Sequence, residues 1–317
     1  MAVTLRRRVR AAAFSVFEHG AACVPSALLH GALRGAAGLA RFSRFEQQAL
    51  ANLELVFGAE LDASARAELA RAVRLHAARQ LSDWLRLARV DPRVPQSGRW
   101  IEDEVELDAS FELYQREHAR GRGVLIVTAH LGDWELLAAR LVRAGARGAV
   151  VGRERALEPA ARFFARMRER NGLRTIRQQE SAREALRVLR GGGTLGLVCD
   201  LDVKRLHGEF LPFLGRPALT QSAPAALARA ARVPLLPARC VFDARSGRWR
   251  LSFEEPLALD ASLERHAARR DLLARENELF GRWIRATPEQ WAWHQPRWRT
   301  RPAEQPEGDL YKALMKV

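Results

Sequence analysis

The chain has 317 residues, of which 48% are hydrophobic and 28% are charged, and its formal net charge is +15. This length suits one large domain, or a domain with an appended helical segment, and the composition excludes a disordered chain. Its three cysteines, Cys23, Cys199 and Cys240, are widely spaced without a CxxC pair, which argues against a disulfide framework or a zinc site and fits a reducing compartment.

The N-terminal part of the chain, residues 1–95, is predicted to be helical. Between residues 61 and 90, apolar side chains recur at helical spacing and indicate a buried stripe. Residues 19–33 contain no Asp, Glu, Lys or Arg, but this stretch is shorter and more polar than the roughly 20 apolar residues of a spanning helix. Because four arginines precede it, we expect it to lie at an anionic membrane surface. The alternative is a core helix.

From residue 96 onward the pattern alternates between strands and helices. Val124–Thr128 is a short apolar run, typical of a strand buried on both faces. Further strands are predicted at 149–151, 175–177, 194–199, 235–242 and 248–253, and helices at 133–144, 158–171, 180–190, 222–231 and 263–285. The sequence therefore predicts an α/β fold with a largely parallel central sheet flanked by helices, in a domain of residues 96–317 that follows a helical, membrane-associating segment of residues 1–95.

Three side chains closely follow predicted strands of this sheet: His130, Asp200 and Asp202. Active sites in parallel sheets lie beyond the carboxyl ends of the strands, so these residues are site candidates, with Asp202 the weaker of the acids. His130 also begins an HxxxxE motif that ends at Glu135. An imidazole has a suitable pKa to take a proton from a hydroxyl, and a carboxylate on its other nitrogen holds the ring in place. The motif therefore predicts His130 as a general base and Glu135 as its partner; the alternative is a histidine that caps a helix.

The segment from His130 to Glu135 reads HLGDWE and resembles the HxGNWE signature of the bacterial lipid A biosynthesis acyltransferases, a branch of the lysophospholipid acyltransferase superfamily. Asp133 stands where that family usually has Asn. Further blocks resemble the family in the same order along nearly the whole chain: residues 52–57, 163–172, Asp200 with 209–220, and 288–299.

This resemblance implies an enzyme that moves a fatty acyl group from an acyl thioester to a hydroxyl of a glycolipid, most often a lipid A precursor, at the cytoplasmic face of an inner membrane. Within it, Arg168 matches the arginine close to the catalytic pair and would hold the oxyanion or an acceptor phosphate. Asp200 would orient Arg168 or the acceptor, and Asp133 would influence the acceptor site. The alternative for Arg168 is a solvated face of an Arg-rich helix.

Two other segments have open interpretations. The apolar residues 210–215 either line an acyl channel or pack as an ordinary loop. The C-terminal cluster of tryptophans and arginines either lies at a membrane interface or docks on the sheet; its members are Trp291, Trp293, Arg297, Trp298 and Arg299.

The net charge of +15 predicts anionic partners. Because no nucleic-acid-binding motif is visible, we expect an anionic membrane and an acidic acyl carrier protein rather than nucleic acid. Coenzyme A is the alternative donor, but Gly191–Gly193 lies between a helix and a strand, the wrong order for a phosphate loop. We expect no metal or cofactor. The alternatives in function are acylation of another membrane lipid, such as a lyso-phospholipid, an aminolipid or a phosphoinositide glycolipid, and a non-catalytic lipid-binding protein.

Overall fold

The computed structural model describes residues 20, 24–40, 43–152, 159–177, 181–203, 207–295 and 297–302. The α-helices in these ranges are α1 (Ser26–Leu39), α2 (Arg44–Phe57), α3 (Ala63–Leu87), α4 (Trp100–Glu104), α5 (Phe111–Ala119), α6 (Trp134–Arg143), α7 (Pro159–Arg170), α8 (Ser181–Arg190), α9 (Ala223–Ala231) and α10 (Arg265–Ala286). Short 3-10 turns occur at Pro95–Gly98 and Pro288–Gln290.

The strands are β1 (Val105–Leu107), β2 (Val124–Thr128), β3 (Gly148–Gly152), β4 (Arg174–Arg177), β5 (Thr194–Val198), β6 (Gly208–Phe213), β7 (Arg216–Gln221), β8 (Leu235–Asp243) and β9 (Arg248–Phe253). Seven of them form one sheet in the order β1-β9-β8-β2-β5-β3-β4. Strands β8, β2, β5, β3 and β4 are parallel, whereas β9 runs antiparallel to β8 and carries β1 at the edge. The predicted α/β fold with a largely parallel central sheet is confirmed.

Strand β2 shows why the sheet is buried on both faces. All five of its residues are buried, and they alternate between two hydrophobic cores. Leu125 and Val127 belong to one core, while Val124 and Ile126 belong to the other. Successive side chains of a strand point to opposite faces, so a continuous apolar run supplies both layers of helices.

The N-terminal helices differ in how they pack. Helices α2 and α3 contribute Leu53 and Val73 to the same core as the sheet. We call residues 288–295 and 297–302 the C-terminal segment. The side-chain amide of Asn52 on α2 donates to the carbonyl oxygens of Trp293 (2.7 Å) and Gln295 (3.0 Å) in this segment. Helix α1, by contrast, buries only Leu29.

Part of the predicted membrane-associating segment, residues 1–19 and 21–23, lies outside the described residues. On α1 the side chains of Leu28 and Leu39 are 66% and 87% exposed. No helix within the described ranges combines the length and apolar character needed to cross a membrane.

Strands β6 and β7 form an antiparallel hairpin where the sequence predicts a loop at 210–215. Leu214 and Gly215 occupy its two-residue turn, with φ of +49° and +77°. Turns of this kind match the twist of paired strands. Leu211 and Phe213 are buried in the core that also contains residues of α10.

No element is predicted between residues 100 and 123, yet α4, β1 and α5 form there. These elements have five, three and nine residues, and such short segments show too few repeats for a periodic pattern to be recognised.

Candidate active site

The turn between β2 and α6 carries His130 and is held from two sides. The backbone N–H of Gly132 donates to the carbonyl of Gln290 (3.0 Å), and the N–H of Ala292 donates to the carbonyl of His130 (3.0 Å). From β8, the carbonyl of Cys240 accepts the N–H of Asp133 (2.8 Å). The turn is thus fixed between the sheet and the C-terminal segment.

Gly132 is required at this turn for two reasons. Its φ is +61°, which side chains other than glycine rarely adopt. A Cβ atom there would also overlap the backbone carbonyl of Cys240 on β8. The glycine of the HLGDWE motif therefore lets the turn that carries His130 lie directly against the neighbouring strand.

His130 forms its hydrogen bond with Asp200. The Nδ1 atom of His130 lies 2.6 Å from Oδ1 of Asp200, and the backbone N–H of His130 donates to Oδ2 (3.0 Å). A carboxylate only accepts hydrogen bonds, so Nδ1 carries a hydrogen, and in the neutral form of the ring Nε2 has the lone pair. The His130 side chain is 23% exposed, which leaves it accessible to a substrate.

Asp200 is held in its ionised form although it is buried. The indole N–H of Trp291 donates to Oδ2 at 2.7 Å, which adds a third donor to the two from His130. Burial alone would raise the pKa of Asp200, but the charge of His130 and these hydrogen bonds outweigh burial and lower it. This carboxylate can therefore orient the imidazole and stabilise its protonated form.

The sheet explains why Asp200 and not Glu135 reaches His130. Strands β2 and β5 are adjacent and parallel, and Thr128 is paired with Val198. His130 and Asp200 each follow two residues later, so they leave the sheet side by side. The expected contact between His130 and Glu135 is absent from the described structure and is replaced by this cross-strand pair.

Glu135 instead pairs with Arg168 on α7. Nε and Nη2 of Arg168 donate to the two carboxylate oxygens of Glu135 at 2.9 and 2.5 Å, a bidentate ion pair. Glu135 is buried in the first turn of α6, from which its side chain meets α7. Arg168 lies close to the motif as expected, but its guanidinium is oriented by Glu135 and not by Asp200. The Arg168 side chain is largely buried, so it does not belong to a solvated helix face, which was the alternative.

Asp133 caps helix α6. Its Oδ1 accepts the N–H groups of Glu135 (3.0 Å) and Leu136 (2.9 Å) and the indole N–H of Trp84 (3.1 Å). Burial raises the pKa of Asp133 well above its usual value, and the carboxylate of Asp83 adds to the increase. Asp and Asn cap helices about equally well, so the departure from the HxGNWE signature preserves the cap. Being fully buried, Asp133 supports the turn from below.

Helix α3 holds the same turn through contacts that the sequence does not predict. The side-chain amide of Gln80 donates to the carbonyl of Gly132 at 2.6 Å. Trp84 packs against Trp134 with ring centroids 5.4 Å apart, and Trp134 meets the His130 ring edge-on at 4.7 Å. Trp84 belongs to the predicted apolar stripe of this helix, but a stripe does not reveal which turn the helix contacts.

A cavity of about 320 Å³ opens at His130. Trp134 and Arg168 line it on the side of α6 and α7, and Leu227 of α9 lines another side. Arg299 of the C-terminal segment and Asp202, which follows β5, complete the wall of the cavity. The carboxylate of Asp202 accepts the N–H (2.5 Å) and the hydroxyl (3.1 Å) of Thr300 and thereby anchors this segment.

A second, narrower cavity of about 50 Å³ runs between α6 and the sheet. Its lining is mainly apolar and includes Leu137, Ala138, Leu141 and Val150. It shares five lining residues with the cavity at His130: Trp134, Val151, Arg168, Leu197 and Val198. Residues 210–215 line neither of these two cavities.

The C-terminal aromatic cluster is docked in the core. Trp291, Trp293 and Trp298 are buried, and so is Arg297, whose guanidinium lies over the Phe213 ring. Of the two interpretations of this segment, docking on the sheet is the one observed. Within this cluster Trp291 holds Asp200 from the core, whereas the side chain of Arg299 is partly exposed in the cavity at His130.

A buried ionisable network lies behind Asp200. The Cys199 thiol donates to Oε1 of Glu276 at 3.1 Å. Burial raises the pKa of Glu276 to about 8. Burial also lowers the pKa of Arg297 to about 10, and the surrounding carboxylates, Asp200 first, oppose that decrease. Arg297 is therefore the buried cation that balances these acids.

Within the part of the chain that the structure describes, no group of three His, Cys, Asp or Glu side chains is arranged to hold a metal ion. The groups available at the cavity are an oriented imidazole, the guanidinium groups of Arg168 and Arg299, and an adjoining apolar space.

Comparison with known proteins identifies the family of the chain. No curated protein sequence is similar enough to the chain to count as a match. Residues 7–300 match the family model described as bacterial lipid A biosynthesis acyltransferase, which covers nearly the whole chain and confirms the resemblance inferred from its motifs. The chain belongs to the bacterial lipid A biosynthesis acyltransferase family and is an acyltransferase.

Proposed function

We propose that this protein transfers a fatty acyl chain from an acyl thioester to a hydroxyl of a glycolipid similar to a lipid A precursor, with His130 as general base. The observation that carries the proposal is the His130–Asp200 pair at the mouth of a cavity that adjoins an apolar space. A hydroxyl is a weak nucleophile until a base removes its proton. We assign the acyl chain to the side of this apolar space, which in the structure has a volume of about 50 Å³. The lining residues that it shares with the cavity at His130 support a thioester next to the imidazole.

The reaction proceeds by direct transfer. Nε2 of His130 takes the proton of the acceptor hydroxyl as its oxygen attacks the thioester carbonyl carbon. Asp200 stabilises the imidazolium that forms. The tetrahedral intermediate then collapses, the C–S bond breaks, and His130 returns the proton to the departing thiolate. The products are an ester and a free thiol.

Arg168 stabilises the negative charge on the carbonyl oxygen in the intermediate. Its Nε and Nη2 are held by Glu135, and Arg168 lines both cavities where they meet. A Cβ atom at Gly152 would lie 2.8 Å from Nη1 of Arg168, so the glycine leaves room for the guanidinium. Fixed donors aimed at a developing charge supply much of the rate enhancement in acyl transfer. Glu135 acts through Arg168 and is a positioning residue.

The preferred donor is an acyl carrier protein. The net charge of +15 supports this preference, because a basic surface attracts an acidic protein and raises its association rate in a salt-sensitive way. The acceptor lies in the cytoplasmic face of the inner membrane, and the protein associates with this anionic surface peripherally or through a single N-terminal anchor. The exposed leucines of α1 and the arginines before it are the elements that support this location.

The decisive experiment replaces His130 with alanine. We expect turnover to fall by about two to four orders of magnitude because the base is lost. The assay offers the same acyl chain on carrier protein and on coenzyme A, with total membrane lipids as acceptor, and mass spectrometry identifies the product. His118→Ala, a change at an exposed histidine of α5, is the control.

Near-normal turnover of folded His130→Ala protein would refute the role of His130. Equal kcat/KM for the two donors across a salt series would refute the preference for carrier protein. Absence of His130-dependent thiol release with either donor would favour a non-catalytic lipid-binding protein.

A further inference from the structure

The cavity at His130 contains a second arginine whose hydrogen-bonding capacity is largely unused. Arg299 lies in the C-terminal segment, lines the same cavity as His130 and Arg168, and has a side chain that is 32% exposed. It is therefore accessible to a substrate in that cavity.

Few of the donors of Arg299 have protein acceptors. Nη2 donates to the carbonyl oxygen of Asp202 at 2.9 Å and lies 3.7 Å from the Asp202 carboxylate. That carboxylate is already engaged by the N–H and hydroxyl of Thr300. Nε is buried without a partner, and no described residue accepts from Nη1. The exposed part of the guanidinium therefore keeps N–H donors that a ligand in the cavity can meet.

The other charged groups of the cavity are matched by partners of opposite charge. Arg168 forms its bidentate pair with Glu135, and His130 forms its pair with Asp200. The first turn of α9, which also borders the cavity, contains no acidic residue. The acid nearest to Arg299 in this lining is Asp202, whose carboxylate is held by the N–H and hydroxyl of Thr300. Arg299 is thus a second cavity-lining guanidinium, and unlike Arg168 it has no bidentate pair with a carboxylate.

We propose that Arg299 is the cationic side chain of a phosphate-binding subsite in the acyl-transfer cavity and holds a phosphate group of one of the two substrates. A guanidinium offers planar, paired N–H donors that match the oxygens of a phosphate. The acyl chain lies on the Arg168 side, where the apolar space begins. Arg299 therefore faces the polar part of a substrate, which is the phosphodiester of a phosphopantetheine-linked donor or a phosphate of the acceptor lipid.

The first test does not depend on activity, although the choice of ligand rests on the proposed function. The melting temperature is measured with hexyl phosphate and with hexanol for the wild type, Arg299→Gln and Arg299→Lys. Arg122→Gln is the matched control, because this exposed arginine precedes β2 at the opposite end of the strand from His130. We expect hexyl phosphate to stabilise the wild type and Arg122→Gln more than hexanol does. Arg299→Gln should lose this difference, and Arg299→Lys should keep part of it.

An equal phosphate-dependent shift in wild type and Arg299→Gln would overturn the subsite, and so would the lack of any such shift in the wild type. Because the melting-temperature measurement needs no turnover, it tests the subsite even if no acyl transfer is observed. Circular dichroism of both Arg299 variants establishes that they are folded before the shifts are compared.

The second test identifies which substrate carries the phosphate. One arm compares acyl-4′-phosphopantetheine with acyl-pantetheine, and the other compares membrane lipids before and after phosphatase treatment. We expect Arg299→Gln to raise KM about tenfold or more in one arm only, for the phosphate-bearing substrate, with a smaller change in kcat. The responding arm names the source of the phosphate. An equal loss with phosphate-bearing and phosphate-free substrates in both arms would show a structural role instead and overturn the proposal.

Discussion

At the scale of single residues, two carboxylates near His130 have different partners and therefore different functions. Asp200 accepts the Nδ1 hydrogen of His130 and the indole N–H of Trp291, whereas Glu135 binds Arg168. A carboxylate on an imidazole selects its tautomer and stabilises its charge. A carboxylate on a guanidinium fixes its direction. The contacts of each acid thus predict distinct effects of its removal.

Asp200→Asn is expected to lower kcat by about two to four orders of magnitude, because an amide does not stabilise the imidazolium and favours the wrong tautomer. The measurement is the pH profile of kcat with Glu135→Gln in parallel. Only Asp200→Asn should shift the limb that reports the imidazole, whereas Glu135→Gln should reduce kcat at every pH and lower the melting temperature. If only Glu135→Gln shifted the imidazole limb of the pH profile, Glu135 and not Asp200 would be the functional partner of His130.

Glu276 predicts how stability depends on pH. Its pKa of about 8 in the folded protein exceeds the value of about 4.3 expected for an unfolded chain. Between these values the unfolded state binds fewer protons, so Glu276 makes the protein progressively less stable as pH rises towards 8. Glu276→Gln removes this titration and keeps an oxygen to accept from the Cys199 thiol. The melting temperature of Glu276→Gln minus that of the wild type should therefore be larger at pH 8 than at pH 5. A difference that does not change with pH would contradict the raised pKa of Glu276.

At the scale of secondary-structure elements, the site is made by neighbouring strands and the turn between β2 and α6. Parallel pairing of β2 with β5 brings His130 beside Asp200, and α3 holds the turn through Gln80 and Trp84. The C-terminal segment supplies Trp291, whose indole N–H donates to Asp200. Elements that are far apart along the chain therefore meet at one short turn, and in the proposed mechanism its backbone geometry sets the position of His130.

Gly132→Ala tests this geometry, with Gly145→Ala as a matched control. Both glycines have positive φ, +61° and +98°, but a Cβ atom meets the Cys240 carbonyl at Gly132 and nothing within 4 Å at Gly145. Gly145→Ala should cost only the backbone strain, about 1–2 kcal/mol, and leave activity intact. Gly132→Ala should lower the melting temperature further and reduce kcat because it displaces His130. Equal effects of the two changes on stability and activity would show that the contact with β8 is unimportant.

At the scale of the whole molecule, charge and exposed apolar surface act together. The chain carries a net charge of +15, and α1 exposes two leucines although the other large apolar side chains are mostly buried. A basic protein with an exposed apolar helix face suits an anionic lipid surface. Such a surface would bring the cavity close to a lipid acceptor.

Vesicle flotation tests this association. We expect binding that requires anionic lipid and weakens with salt, because surface charges are screened within about 10 Å at 0.1 M ionic strength. The double variant Leu28→Ser with Leu39→Ser should float less. Leu263→Ser, a change at another exposed leucine, should not reduce flotation. Binding that resists both salt and the double variant would indicate an anchor elsewhere in the chain.

The sequence by itself determined the α/β class, the strand that presents His130, and the family. These features depend on local patterns, because strand β2 is a continuous apolar run and the HLGDWE motif is contiguous. Periodicity and motifs are properties of neighbouring residues, so they are readable without the fold. The interpretation of Asp200 as a site residue also followed from its place after a strand.

Only the tertiary structure decided which acid binds the imidazole of His130. Glu135 is five residues from His130 and was the expected partner, whereas Asp200 is 70 residues away and makes the hydrogen bond. That contact depends on the order of strands in the sheet, which no local pattern specifies. For the same reason the structure was needed to bury the C-terminal tryptophans, to turn residues 210–215 into a hairpin, and to bring Arg299 into the cavity of His130. Each of these placements depends on packing between distant segments, where the free energy of burial and pairing is settled by the whole fold.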